Sequence, residues 1–179
     1  MTLNASAHPS QLHAAANPAL MAALLVAAIA AATLAGAWFF QLVMGLVPCP
    51  MCLEERYAYY LAVPLGLLVA FAAAKDAPRG IVLVGLALLM LAALGNAAFG
   101  VYHAGVEWKF WAGPTECTGA VGNFGSAANL LEQLDKVKVV RCDEIQWTFL
   151  GLSLAGYSAL VSLLMAAIAA WGFVGARRA

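Results

Sequence analysis

Charged residues are scarce in this chain. Only 10% of its 179 residues are Asp, Glu, Lys or Arg, and the nine acidic and nine basic residues cancel. A soluble domain usually has roughly a quarter of its residues charged. This scarcity excludes an ordinary water-soluble protein, and the zero net charge excludes the broad basic surface of a nucleic-acid-binding protein. Apolar residues take the place of charge and make up 64% of the chain.

The apolar residues are gathered into four long runs. The runs are residues 19–44, 53–74, 81–102 and 147–171. A helix needs about 20 apolar residues to cross a bilayer, and in lipid its backbone must satisfy its own hydrogen bonds. The sequence therefore predicts an all-α membrane protein, a bundle of four transmembrane helices within residues 19–174. Residues 1–18 are predicted to form a disordered tail, and residues 175–179 a short C-terminal tail.

The few basic residues predict the orientation of the bundle. Four spans put both termini on one side, together with the turn between the second and third runs. Lys75 and Arg79 lie in that turn, and Arg177 and Arg178 follow the fourth run. Positive charge favours the cytoplasm, so both termini are predicted to be cytoplasmic. Residues 45–52 and the long loop 103–146 then face outwards, and that loop has six acidic residues but only four basic ones.

Cysteine is also scarce, and none of the four cysteines lies centrally in a run. Cys49 and Cys52 form a CxxC pair before the second run, and Cys117 and Cys142 lie in the long loop. All four therefore face outwards, where disulfides form and persist. Three pairings are possible, and the sequence does not choose between them. A structural staple is the default interpretation of the two loop cysteines taken alone.

The CxxC pair fits a redox centre better than a metal site or a staple. A four-cysteine zinc site uses two closely spaced pairs, whereas Cys117 and Cys142 are far apart, so we predict no metal. A disulfide across three residues adds little stability through loop closure. The second helix is predicted to begin near residues 51–53, where its N-terminal partial charge favours a thiolate at Cys52.

Arg56 lies one helical turn after Cys52. Residues four apart share one face of a helix, so the guanidinium is predicted to stabilise a Cys52 thiolate or to bind an anionic oxygen in the adjacent lipid. The alternative is that Arg56 only extends to the lipid head groups.

Four motifs together resemble one known family. They are P-C-x-x-C-x-x-x-R at residues 48–56, Tyr102-His103, Cys117, and C-x-E-x-x-W-x-F-L-G-L at residues 142–152. Over residues 19–172 the chain resembles the disulfide bond formation protein B (DsbB) family, the inner-membrane thiol:quinone oxidoreductases of bacteria. The resemblance places residues 45–52 and 103–146 in the periplasm.

The resemblance also implies a mechanism. A periplasmic thioredoxin-fold oxidase of the DsbA type attacks the Cys117–Cys142 disulfide, and Cys142 then attacks Cys49. Cys52 is released as a thiolate beside a membrane quinone, either ubiquinone or menaquinone. Arg56 stabilises that thiolate or a quinone oxygen, and His103 lies near the quinone.

Two other classes of protein are considered. A four-span structural protein with stapling disulfides does not explain an arginine one turn after a CxxC pair. A vitamin K epoxide reductase-type enzyme has its loop cysteines before the CxxC pair, whereas here the CxxC pair comes first. Residues 127–137 have apolar residues at helical spacing. They are interpreted as an amphipathic helix on the membrane surface, or alternatively as a partner-docking segment.

Overall fold

Four helices form the part of the chain that the structure describes. The computed structural model describes residues 17–114 and 141–178, so Cys117, residues 127–137 and most of the N-terminal tail lie outside it. The helices are α1 (Pro18–Leu42), α2 (Pro50–Ala74), α3 (Arg79–Glu107) and α4 (Leu154–Arg178). All four are long and apolar enough to cross a membrane. The predicted four-helix membrane architecture is therefore confirmed.

The helices pack as a closed bundle with two different ends. Helices adjacent in sequence contact each other along the sides α1–α2, α2–α3 and α3–α4, and α4 packs back onto α1. We call one end the cysteine end; it is formed by Leu42, Pro50, Glu107 and Leu154. The other, the terminus end, is formed by Pro18, Ala74, Arg79 and Arg178. The bundle thus brings sequence-distant segments together at each end.

Small residues let the helices approach closely. Ala19, Ala22, Ala23 and Ala30 of α1 are almost fully buried. A Cβ on Gly100 of α3 would lie only 3.0 Å from the backbone nitrogen of Ala159 on α4. Transmembrane helices associate through such close backbone contacts because lipid supplies little hydrophobic driving force between them.

The fourth helix begins later than its hydrophobic run predicts. The run begins at residue 147, but the helix begins at Leu154. A small antiparallel hairpin precedes it, with β1 (Thr148–Phe149) paired to β2 (Leu152–Ser153). Leu150 and Gly151 form the turn, both with positive φ, as a type I′ turn requires. Hydropathy alone cannot separate this apolar hairpin from the helix that follows.

The other helix ends also differ from the predicted boundaries. Helix α4 continues to Arg178 and so includes most of the predicted tail 175–179, since basic residues suit a helix C terminus. Helix α3 continues to Glu107, so residues 103–107 are helical rather than part of the loop. Helix α2 begins at Pro50, before the predicted start near residues 51–53. Proline is favoured at the first helical position because the missing N–H is not needed there.

Candidate active site

The CxxC pair caps the N terminus of α2. Cys49 is the N-cap residue, and its Sγ accepts a hydrogen bond from the backbone N–H of Cys52 at 3.1 Å. The two cysteines are joined in a disulfide, with their Cα atoms 5.1 Å apart. Because the cap is Cys49, the partial positive charge of the helix terminus acts on both sulfurs. The sequence predicts this effect for Cys52 alone.

A buried histidine lies next to Cys49, and a buried glutamate lies next to the histidine. His103 Nε2 lies 3.6 Å from Cys49 Sγ, and His103 Nδ1 lies 2.6 Å from Glu55 Oε1. His103 is 1% exposed and Glu55 5%. The imidazole can donate its Nδ1–H to Glu55 Oε1, which leaves Nε2 facing the sulfur. Sulfur, imidazole and carboxylate therefore form one connected row.

The sequence motifs give no role to Glu55. The residue lies early in α2, where any acidic side chain suits the helix dipole. Its contact with His103 joins positions 48 residues apart. Only the packing of α2 on α3 reveals this pair.

Cys142 lies against the same disulfide. It is buried, and it packs in one apolar cluster with Cys49 and Met51. Within the described residues it takes part in no disulfide. The structure therefore brings Cys142 to the CxxC pair, whereas Cys117 lies outside the described residues.

A charge cluster holds the backbone around Cys142. Lys109, just beyond the end of α3, donates to both the side chain and the carbonyl of Asp143. Arg141 donates to the same carboxylate at 3.0 Å through each of two nitrogens. Hydrogen bonds from Lys109 and Arg141 lower the pKa of Asp143 to about 2. Lys109 thus ties the loop at Asp143 to the segment that follows α3, and Arg141 bridges across Cys142 to the same carboxylate.

Arg56 reaches across to α1. Its Nη1 donates to Gln41 Oε1 at 2.7 Å, and its guanidinium carbon lies 5.7 Å from the ring centre of Trp38. A guanidinium over an indole ring is held by a cation–π interaction. The residue is half-buried, so its remaining donors are positioned for a ligand between α1 and α2.

A cavity of about 410 Å³ opens beside these residues. Cys52, Arg56 and His103 line it, together with Glu55 and Glu107. Most of the wall is apolar or aromatic, with contributions from all four helices and the hairpin; examples are Leu34, Ala37, Phe40, Trp147, Phe149 and Val161. Small-molecule sites commonly have such a volume, with apolar walls and a few placed polar groups.

Glu107 is a second buried carboxyl group, and no sequence motif includes it. It lies four residues after His103, is 9% exposed, and also lines the cavity. Its Oε2 has no hydrogen-bond partner among the described residues. The sequence offered one signal, an acidic residue one helical turn from His103.

Three potential metal ligands are also close together. The ligand atoms of Cys49, Cys52 and His103 all lie within 4.8 Å of one another. Cysteine binds metals as a thiolate, and the disulfide between Cys49 and Cys52 uses both sulfurs. This geometry belongs to an oxidised thiol pair with a neighbouring imidazole.

Comparisons with known proteins show which family the chain resembles. The family model described as disulfide bond formation protein DsbB matches residues 19–172. A disulfide bond formation protein B of Verminephrobacter eiseniae is 35% identical over 156 residues, covering 82% of this chain and 84% of the relative. One from Azoarcus sp. is 36% identical over 151 residues, covering 82% and 87%. No solved structure shows significant similarity to the chain.

Proposed function

The chain belongs to the disulfide bond formation protein B family, and from this premise we propose that it reoxidises a periplasmic thioredoxin-fold thiol oxidase of the DsbA type and passes the electrons to a membrane quinone. Membership makes it a multi-pass membrane oxidoreductase of disulfide bond formation. The thiol partner, the acceptor and the residue roles are the content of the proposal.

One observation carries the proposal: the Cys49–Cys52 disulfide lies between Cys142 and the apolar cavity. Cys142 and Cys49 share one buried cluster, Cys52 packs against that cluster, and both cysteines of the disulfide line the cavity. Cys49 is 2% exposed, whereas Cys52 is half-buried. In the proposed mechanism a thiolate at Cys142 attacks Cys49 from the loop, and Cys52 leaves beside the cavity, one helical turn before Arg56.

Every exchange step transfers electrons between sulfur atoms, and only the step that follows them passes electrons to the quinone. A thiolate of the reduced partner attacks Cys117 in a Cys117–Cys142 disulfide, releasing the Cys142 thiolate. Cys142 attacks Cys49, forming a Cys49–Cys142 disulfide and releasing the Cys52 thiolate. The second thiol of the partner restores its own disulfide and frees Cys117, which attacks Cys142 and leaves Cys49 and Cys52 reduced. Each step is thiolate attack on a disulfide sulfur.

The cavity fits a quinone. Its apolar and aromatic walls suit a flat ring with an isoprenoid tail, and polar donors are confined to one part of the wall. Arg56 would hold a ring oxygen, and His103 would lie near the quinone with its two ring nitrogens facing Glu55 and Cys49. A bound quinone would accept the two electrons released when the Cys49–Cys52 disulfide closes, and it would take up two protons to become a quinol. Ubiquinone and menaquinone both meet this description.

The proposed orientation places the cysteine end in the periplasm and both termini in the cytoplasm of an inner-membrane protein. Lys75, Arg79, Arg177 and Arg178 all lie at the terminus end of the bundle, where the positive-inside rule favours the cytoplasm. Single cysteines at positions 76 and 144 of a cysteine-free variant test it, because both residues are exposed. An impermeant thiol reagent applied to spheroplasts should label position 144 and not position 76; the reverse pattern contradicts the orientation.

The function is tested by a quinone-dependent oxidation assay. The purified protein should oxidise a reduced thioredoxin-fold partner at a rate that depends on added quinone, and Cys52→Ser should abolish turnover. Ser162→Ala is the matched control, since it alters a buried hydroxyl away from the cysteines. Oxidation without quinone, or undiminished turnover in Cys52→Ser, would refute the proposal.

A further inference from the structure

Glu107 has an environment that the exchange steps leave unexplained. Its carboxyl group is more than nine-tenths buried, lines the cavity, and has one oxygen without a hydrogen-bond partner among the described residues. Leaving a buried polar atom unpaired is costly, and leaving a buried charge unpaired costs far more. A carboxyl group in this position is therefore more easily kept neutral.

Glu55 occupies a different environment although it lines the same cavity. Its Oε1 is engaged by the imidazole of His103 at 2.6 Å, so its carboxyl group has a partner. Glu107 lies next to Ser153 and near His103 and Glu55. The titratable and charged side chains that share the cavity wall with it are Cys49, Cys52, Glu55, Arg56, Tyr59, His103, Glu144 and Tyr157.

The proton balance of the proposed reaction requires a second proton donor, and this neutral carboxyl group can supply the proton. In the proposed function the reduced pair is a thiol at Cys49 and a thiolate at Cys52, because the helix N terminus and Arg56 favour one negative charge. Closing the disulfide releases two electrons but only one proton, that of the Cys49 thiol, which passes to the quinone by way of His103 Nε2. Reduction of a quinone to a quinol consumes two protons. The second proton must come from another group on the cavity wall.

We propose that Glu107 Oε2 is the second proton-holding site of the cavity, giving up its proton as the Cys49–Cys52 disulfide closes. This inference rests on the proposed thiol:quinone function. The balance is Cys49 thiol, Cys52 thiolate, Glu107 acid and quinone giving disulfide, Glu107 carboxylate and quinol. One negative charge is present on each side. Glu107 takes up a new proton from water at the cysteine end, since α3 ends there.

The test compares Glu107→Gln with Glu54→Gln in the full-length protein. Glutamine keeps the size and polarity of the side chain but has no transferable proton. Glu54 is exposed on α2 and does not line the cavity, so it is the matched control. Stopped-flow kinetics should show quinol formation slowed about a hundredfold in Glu107→Gln. Exchange between Cys142 and Cys49 should keep its rate, and Glu107→Asp should recover part of the lost activity.

A second readout does not need quinone turnover. The infrared spectrum of the quinone-free, oxidised protein should contain a protonated carboxyl band that is absent in Glu107→Gln and retained in Glu54→Gln. Absence of that band from the wild type overturns the inference, and so does wild-type quinol formation in Glu107→Gln. An equal slowing of exchange and quinol formation also overturns it, since a structural role would produce that pattern. Failure of the proposed function differs, because the wild type itself would then show no quinone dependence.

Discussion

The two ends of the bundle bury different kinds of residue. At the terminus end, α1 is buried through small apolar residues, with Ala19, Ala22 and Ala23 at 3% exposure or less. At the cysteine end the buried residues include Glu55, His103 and Glu107 together with the cysteines. Tight apolar packing holds the helices together at one end, and this leaves the other end free to accommodate a cavity and buried polar groups.

A polar cluster lies between the two ends. Tyr59 donates its hydroxyl hydrogen among the oxygens of Ser158 and Ser162, and Asn96 Nδ2 donates to Ser162 Oγ at 2.9 Å. The side chains of this cluster find partners within it, unlike Glu107 Oε2. Interhelical hydrogen bonds of this kind contribute modestly to membrane-protein stability. The polar groups of this cluster are therefore structural, whereas the unpartnered oxygen of Glu107 is available for chemistry.

The largest effect is expected at the cysteine end, from Cys142→Ser. The variant cannot transfer electrons from the loop to Cys49, so partner-driven turnover should be abolished while the Cys49–Cys52 disulfide still forms. Met51→Leu alters the same buried cluster with little change in volume and should keep turnover. The assay is partner oxidation with quinone present; substantial turnover in Cys142→Ser would remove the entry route proposed here.

The same substitution, arginine to alanine, can be made at each end of the bundle. Arg56→Ala removes an arginine from the cysteine end, and Arg177→Ala removes one from the terminus end. Loss of a charge-assisted hydrogen bond should raise the apparent KM for quinone about tenfold in Arg56→Ala. Arg177 lies at the terminus end over Phe173, so its loss should leave that KM unchanged. Partner exchange should be unaffected in both variants. An unchanged KM in Arg56→Ala would reject its role in holding the acceptor.

At the terminus end, overpacking should reduce stability and spare chemistry. Ala22 is fully buried, and Ala22→Leu should lower the free energy of unfolding by about 1–3 kcal/mol. Ala31 is exposed on the same helix, so Ala31→Leu should be nearly neutral. Unfolding in mixed micelles measures both values. Equal stability of the two variants would mean that the alanine packing is not tight.

The smallest effect concerns Asp143, whose pKa is lowered to about 2 by Lys109 and Arg141. An aspartate with a depressed pKa contributes stability that is present above its ordinary value near about 4 and is lost as pH falls through the folded value. Tryptophan fluorescence should therefore report loosening of the loop between about pH 4 and pH 2. Asp143→Asn should lack this transition, whereas identical curves would show that the contacts do not anchor the loop.

The sequence predicts the local features of this protein, but it does not predict the contacts between residues that are far apart in the chain. Hydropathy predicts the four helices because a span needs only a local apolar run. Motif resemblance predicts the roles of Cys49, Cys52, Cys142, Arg56 and His103, which the structure gathers at one end; those roles stay predictions. The Glu55–His103 pair and the orphan oxygen of Glu107 arise from packing between helices, and no local pattern contains them.

The sulfur cap on α2 affects which amino-acid substitutions the protein tolerates. The N–H that donates to Cys49 Sγ belongs to the backbone of Cys52, and every residue except proline supplies this donor at position 52. The hydrogen bond to the capping sulfur therefore comes from a group that substitution cannot delete, short of proline. Arg56 and Glu107 act through their side chains, which a single substitution removes. Evolution can therefore change the cavity wall one side chain at a time while the donor to the cap of α2 stays the same.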